Sequence, residues 1–110
     1  MAKNKNAKNF MENLLGEPMS FAMLLRSVRT REDLTQKELA DILEVTVSHI
    51  SDIENGRKFV SVERAYEFAQ KLKDCEKFFV AVSLQDQVNQ ADLDFKVEIA
   101  WKKKNYFTQM

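Results

Sequence analysis

Ser48, His49, Ser51 and Asp52 carry the hydroxyl, imidazole and carboxylate groups from which a hydrolytic relay is built. Such a relay needs nucleophile, base and orienting acid to converge on one point. Near neighbours on a helix instead diverge by about 100° per residue. These four therefore cannot form the relay. The chain has a single His and a single Cys, so neither a metal-ligand cluster nor an internal disulfide is available. It has no glycine-rich phosphate loop. The expectation is a protein that is not an enzyme and carries no cofactor or metal. The same side chains suit another chemistry. Short hydroxyls and a carboxylate on one helix face can meet base edges in a DNA major groove. Such a face is also what an ordinary solvated helix presents.

The elements that would position that face lie between Leu34 and Gly56. Thr35 and Glu38 form a T-x-x-E capping box, which starts a helix. Leu39, Ala40 and Leu43 make its apolar stripe. Glu44 and Val45 break the pattern, and Thr46 is the next N-cap. Val47, Ile50 and Ile53 give a second stripe, and Gly56 closes that helix in the left-handed conformation. The turn is too short for antiparallel packing, so the two helices are expected to cross steeply. With Ile50 placed on the core face, Ser48, Ser51, Asp52 and Asn55 point outward and His49 sits on one shoulder.

Arg29, LTQ-x-ELA at 34–40 and V-T-x-S-x-IS-x-IE-x-G-R at 45–57 closely resemble the Xre/Cro family of phage-repressor-like helix-turn-helix domains. The resemblance runs from about Met19 to Leu72. Two positions depart from it. Glu44 stands where the family commonly has Gly, which implies either backbone strain or a slightly altered turn. Val60 replaces the proline usually found after the Gly-Arg pair. The resemblance implies a mainly α, five-helix domain and sequence-specific binding to double-stranded DNA. It implies that Gln36 contacts phosphate at a helix N-terminus. Val47, Ser48 and Asp52 would face bases, with Thr46 and Ser51 beside them. Asn55, Arg57 and Lys58 would meet the backbone. His49 is either a phosphate contact or a solvated shoulder residue. Arg29 and Glu54 both turn inward from their helices and are expected to pair, because a lone buried charge is costly.

The remaining chain frames this unit. There are 110 residues, enough for one domain, and only two Gly and one Pro, which suits a helical chain. Basic and acidic residues balance at 17 each. The balance counts mildly against nucleic acid, although phosphates meet only one surface. No apolar run reaches membrane-span length, and the polar N-terminus is unlike a secretory leader. A reduced cytoplasm is the expected setting.

Residues 1–18 read as an arm. Lys3, Lys5 and Lys8 make it either a disordered tail or a basic arm on DNA, and Phe10, Met11, Leu14 and Leu15 form a short apolar stripe. Residues 19–84 read as the DNA-binding domain. Ser20 caps a first helix carrying Phe21, Leu24, Leu25 and Val28, and Ser61 caps a fourth with Val62, Ala65, Phe68, Ala69 and Leu72. Asp74 is expected to cap a fifth with Phe78, Phe79 and Val82. Cys75 reads as a packing residue. Residues 85–110 read as a separate strand and tail, the helix ending near Gln85. Phe95, Val97, Ile99 and Trp101 alternate with Lys96 and Glu98, a β-strand period. This lone strand is expected to pair with its copy in a homodimer, to add to a toxin's sheet, or to fold back. The resemblance permits either a repressor or an antitoxin that binds both a toxin and its own operator.

Overall fold

Four hydroxyl side chains decide where the first four helices begin. The computed structural model describes residues 19–100 together with Lys102. Among these residues the chain forms α1 (Phe21–Arg31), α2 (Gln36–Leu43), α3 (Val47–Glu54), α4 (Val62–Leu72) and α5 (Glu76–Gln90). Ser20, Thr35, Thr46 and Ser61 each accept a hydrogen bond from the backbone N–H three residues on, at 3.0–3.1 Å. At Thr35 the box is complete, because the Thr35 N–H also donates to Glu38 Oε1 at 2.8 Å. Each cap satisfies a donor that the helix itself leaves unpaired.

The five helices also end alike. Asp33, Glu44, Gly56, Lys73 and Asp92 all take left-handed backbone, with φ of 57°, 60°, 76°, 55° and 61°. In each case the next N–H reaches back five residues: Leu34 to Arg29, Val45 to Ala40, Arg57 to Asp52, Asp74 to Ala69 and Leu93 to Val88. This is the six-to-one bond of a Schellman closure. Glycine is the residue that enters this conformation without steric cost. The chain uses it once in five closures. The strain expected at Glu44 is therefore present, and three further residues share it.

The apolar faces of all five helices meet in one core. Phe21 from α1, Phe68 from α4 and Phe79 from α5 form its aromatic centre. Phe21 and Phe79 pack edge-on with centroids 5.7 Å apart. Leu25, Leu39, Leu43, Ile50 and Ile53 complete the contacts among α1, α2 and α3. Val60, standing where a proline was expected, is buried in the same core.

Polar bonds tie α5 to the rest. Ser83 Oγ donates to the Val60 carbonyl at 2.8 Å, and Asp86 Oδ2 accepts the Phe21 N–H at 3.0 Å. Asp86 thus stands at the N-terminal end of α1, where a carboxylate is favoured by the helix dipole. Burial nevertheless raises its pKa, against the lowering effect of the Phe21 N–H.

Several expectations for the C-terminal part are corrected. Cys75, not Asp74, is the N-cap of α5, and it makes no side-chain cap bond. Asp74 is drawn into other bonds, accepting from the Cys75 N–H at 2.6 Å and from Arg31 Nη2 at 2.8 Å. Cys75 is exposed and does not pack in the core. The helix continues past Gln85 to Gln90, because Asp86 is anchored to α1 and Gln85 Nε2 bonds Asn89 Oδ1 one turn on.

The expected strand does not form. Residues 93–100 have no regular secondary structure. In place of a partner strand, a side chain of α5 holds the segment's backbone. Gln85 Nε2 donates to the Phe95 carbonyl at 2.8 Å, and Gln85 Oε1 accepts the Val97 N–H at 2.7 Å. The amide brackets Lys96 as a neighbouring strand would, but it supplies only these two bonds. Phe95, expected on the covered face, is 66% exposed, whereas Val97 and Ile99 are half-buried. The arm at 1–18 with its stripe at Phe10–Leu15, Trp101, and the tail from Lys103 onward lie outside the described residues.

The left-handed closures make a direct prediction. A non-glycine residue there costs about 1–2 kcal/mol, and glycine returns about 0.5–1 kcal/mol of that through the unfolded chain. Glu44→Gly should raise the urea midpoint by about 0.5–1 kcal/mol of stability. The only ion pair lost among the described residues is the exposed Lys71–Glu44 contact at 3.4 Å, which contributes little. An unchanged or lower midpoint would mean that Glu44 is not strained.

Candidate nucleic-acid interface

Helix α3 is two turns long and has one buried side. Ile50 and Ile53 are in the core, and Glu54 lies beside them with its side chain only 1% exposed. A carboxylate so placed must be matched by donors. Arg29 Nε donates to Oε2 at 2.8 Å and Arg29 Nη2 to Oε1 at 3.1 Å, a bidentate fork. Gln36 Nε2 adds a third bond to Oε1 at 3.0 Å. Arg26 Nη2 donates to the Glu54 backbone carbonyl at 3.0 Å, satisfying the end of the helix. Arg29 Nη1 also holds the Leu34 carbonyl at 3.2 Å. One carboxylate thereby joins α1, the first residue of α2 and the last residue of α3. The Arg29 guanidinium is held charged, its pKa raised mainly by the Glu54 bond.

The opposite side of α3 is small and polar. Thr46, Val47 and Ser48 are exposed at its start, and Val47 is 40% exposed despite its place in the apolar pattern. Ser51 and Asp52 are half-buried. Thr46 Oγ1 is occupied as the cap of His49 N–H. Asn55 Nδ2 donates back to the Ser51 carbonyl at 2.8 Å and to Ser51 Oγ at 3.3 Å. Arg57 Nε donates to Asp52 Oδ1 at 2.9 Å, and its backbone N–H bonds the Asp52 carbonyl at 2.8 Å. Arg57 and Lys58 are both exposed just beyond the left-handed Gly56. A Cβ on Gly56 would meet nothing within 4 Å, so backbone conformation, not space, is what glycine serves there.

The geometry refines several residues read from the sequence. Gln36, read as a phosphate contact, is bound to Glu54. An amide nitrogen has two N–H groups, and this bond uses one of them. Asp52 is not an isolated negative charge, because Arg57 neutralises it. His49 does more than occupy a shoulder: its Nε2 lies 3.3 Å from Arg64 Nη1 of α4. Burial lowers the His49 pKa, and the nearby Arg64 and Lys58 charges lower it further against the pull of Asp52.

Arg26 and Arg64 were missed by sequence reasoning. Arg64 had a signal. On a helical drawing of α4 it falls about 40° from Phe68, at the edge of the buried stripe. Its guanidinium indeed lies over the Phe68 ring, 5.8 Å from the centroid. Among the described residues no group of three or more His, Cys, Asp or Glu side chains is placed to hold a metal ion. No helix among them is long and apolar enough to cross a membrane.

A family model described as helix-turn-helix matches residues 25–76, from the middle of α1 to the first residue of α5. No curated protein matches the chain.

The Glu54 cluster sets a stability prediction. Glu54→Ala leaves the Arg29 charge, whose side chain is 22% exposed, without its partner. The loss should be about 3–5 kcal/mol by chemical denaturation. Replacing Arg29 and Glu54 together by leucine should recover much of it. A Glu54→Ala protein with the parent's midpoint would show that the cluster does not hold the helices.

Proposed function

We propose that this protein is a sequence-specific repressor that lays α3 in the major groove of duplex DNA; residues 25–76, which belong to the phage-repressor-like, Xre-type helix-turn-helix family, support a DNA-binding transcriptional regulator. The observation that carries this reading is the anchoring of α3. Its inner side is pinned through Glu54, while its outer side presents Val47, Ser48, Ser51 and Asp52 between two flanks of basic and amide groups. Short side chains on a rigid helix let the backbone come close enough for base-edge contact. Catalysis forms no part of this proposal.

In this reading Gln36, Asn55, Arg57 and Lys58 take the phosphates, with His49 beside them. The N-termini of α2 and α3 add their favourable dipoles. Asp52 is repelled by a polyanion unless its charge is used. Arg57 supplies that use in the free protein. On DNA, phosphate competes for the Arg57 guanidinium, and the freed Asp52 oxygen accepts from cytosine N4. Phosphate contacts thus set the register while Val47, Ser48 and Asp52 read sequence.

A second reading is supported by the segment after α5. Leu93 and Phe95 are both large, apolar and exposed, and the segment's backbone is held by two side-chain bonds from Gln85. Such a surface suits a protein partner. One helix-turn-helix unit reads few base pairs, so a second copy bound at a paired half-site is the partner we favour. In the alternative, the protein is an antitoxin and the same segment receives a toxin.

Selection of bound sequences from random duplexes tests the main reading and gives half-site and symmetry together. Affinity for the selected duplex should fall at least about tenfold between 50 and 200 mM salt. Arg57→Ala should weaken binding to every sequence and reduce the salt slope by about one. Asp52→Ala should relax preference at one base pair while general affinity holds or rises. A flat salt profile, or no duplex selected, would overturn the proposal.

A further inference from the structure

Arg64 belongs to α4, outside the helix-turn-helix pair, yet it reaches the flank of α3. Three contacts fix it there. Ser61 Oγ caps its backbone N–H at 3.1 Å, so the residue sits in the rigid first turn of α4. Its guanidinium covers the face of Phe68, a ring that is itself buried. Its Nη1 meets His49 Nε2 at 3.3 Å. Among the described residues no carboxylate lies within ion-pair distance of this guanidinium. Arg26, Arg29, Arg31 and Arg57, by contrast, each stand within 4.0 Å of one. Arg64 is thus an exposed, preorganised cation beside the polar face of α3, with no anion of its own among the described residues.

An arginine side chain has donors only. The contact with His49 therefore requires Nε2 to be the acceptor and the ring to be neutral. We propose that Arg64 is a phosphate-binding residue of the DNA interface, and that His49 is the positioning residue that holds its guanidinium in place. The inference rests on the DNA-binding reading above and adds to it a residue from α4. The planar fork of arginine suits phosphate oxygens, and stacking on Phe68 reduces the freedom lost on contact. The charges facing His49 are Arg64 from α4, Lys58 from the loop after α3, and Asp52 one turn along its own helix. Its partial burial favours the neutral ring most, and two cations against one anion favour it further. Protonation removes the acceptor lone pair and sets a second positive charge against Arg64. The positioning is therefore present at pH 8 and lost as the ring protonates.

The test uses the full chain, the duplex it selects, and a random duplex of equal length. Affinities are measured by fluorescence anisotropy across a salt series at pH 8 and pH 5. Arg64→Ala should weaken binding to both duplexes about tenfold at pH 8 and lower the salt slope by about one. Arg64→Lys should restore the slope but only part of the affinity. The decisive readout is coupling. In a His49→Leu background Arg64→Ala should cost less than about twofold, and in the wild-type background its cost should be smaller at pH 5 than at pH 8. His49→Gln, whose amide oxygen can accept, should keep most of the wild-type coupling.

Thermal melts of each variant separate lost folding from lost contact, and Arg64→Gln replaces Arg64→Ala if the latter is unfolded. Wild-type affinity in the Arg64 variants would overturn the role of Arg64. An Arg64→Ala loss that is equal in both His49 backgrounds and at both pH values would overturn the role of His49. A wild-type protein that selects no duplex would remove the DNA-binding reading itself, a result distinct from either.

Discussion

A carboxylate with 1% of its side chain exposed must be matched on every side, and Glu54 is. Its two oxygens take three hydrogen bonds from Arg29 and Gln36, and its carbonyl takes one from Arg26. Each donor comes from a different turn of α1 or from the start of α2. Helices as short as the eight residues of α2 and α3 have little stability of their own. Apolar burial holds them against the core but is non-directional. The Glu54 bonds add direction, fixing how far α3 is rotated about its axis. That rotation decides whether Ser48 and Asp52 or Val47 and His49 lead toward a ligand. Other buried ion pairs gain little net stability over apolar replacements. What this one supplies is a single orientation for α3.

The same logic extends outward with weaker ties. Asp86 and Ser83 bind α5 to the start of α1 and to Val60. Arg31 and Asp74 bridge the end of α1 and the entry to α5. Burial would raise the Asp74 pKa, but the bonds from Arg31 and the Cys75 N–H prevail and lower it. That bridge is fully present above the ordinary carboxylate range and is lost only as pH falls below it, through the lowered Asp74 pKa. The polar surface of α3 is thus mounted on a frame whose own polar ties are made elsewhere. The Asp52–Arg57 and Ser51–Asn55 contacts lie at the surface, where a duplex can exchange them.

Much of the frame was legible because it is local. A cap and its helix lie within three residues, so Ser20, Thr35, Thr46 and Ser61 announce four helix starts. The motif spacing from Arg29 to Arg57 was enough to expect the Arg29–Glu54 pair, since both side chains turn inward. Helix ends were less legible. Gly56 signals a left-handed closure, but Asp33, Lys73 and Asp92 close helices with residues that carry no such signal. The end of α5 was misplaced because the burial of Asp86 depends on Phe21, 65 residues away. The alternation at 95–101 was read as a strand, yet a strand needs a ladder, and the partner here is one amide from Gln85. Arg64 escaped for a similar reason: its link to His49 crosses between helices, and only its position near Phe68 on the wheel hinted at it.

The most direct test of the account is a titration of the isotope-labelled protein with its selected duplex, followed residue by residue through backbone and side-chain NMR shifts. The account predicts the largest changes at residues 46–52 and 55–58, with Gln36 and the Arg64 side chain joining them. The Arg29–Glu54 pair should stay protected from exchange throughout, and α5 with residues 93–97 should change little at a single half-site. Shifts concentrated on α5 and the following segment, with α3 unperturbed, would contradict it.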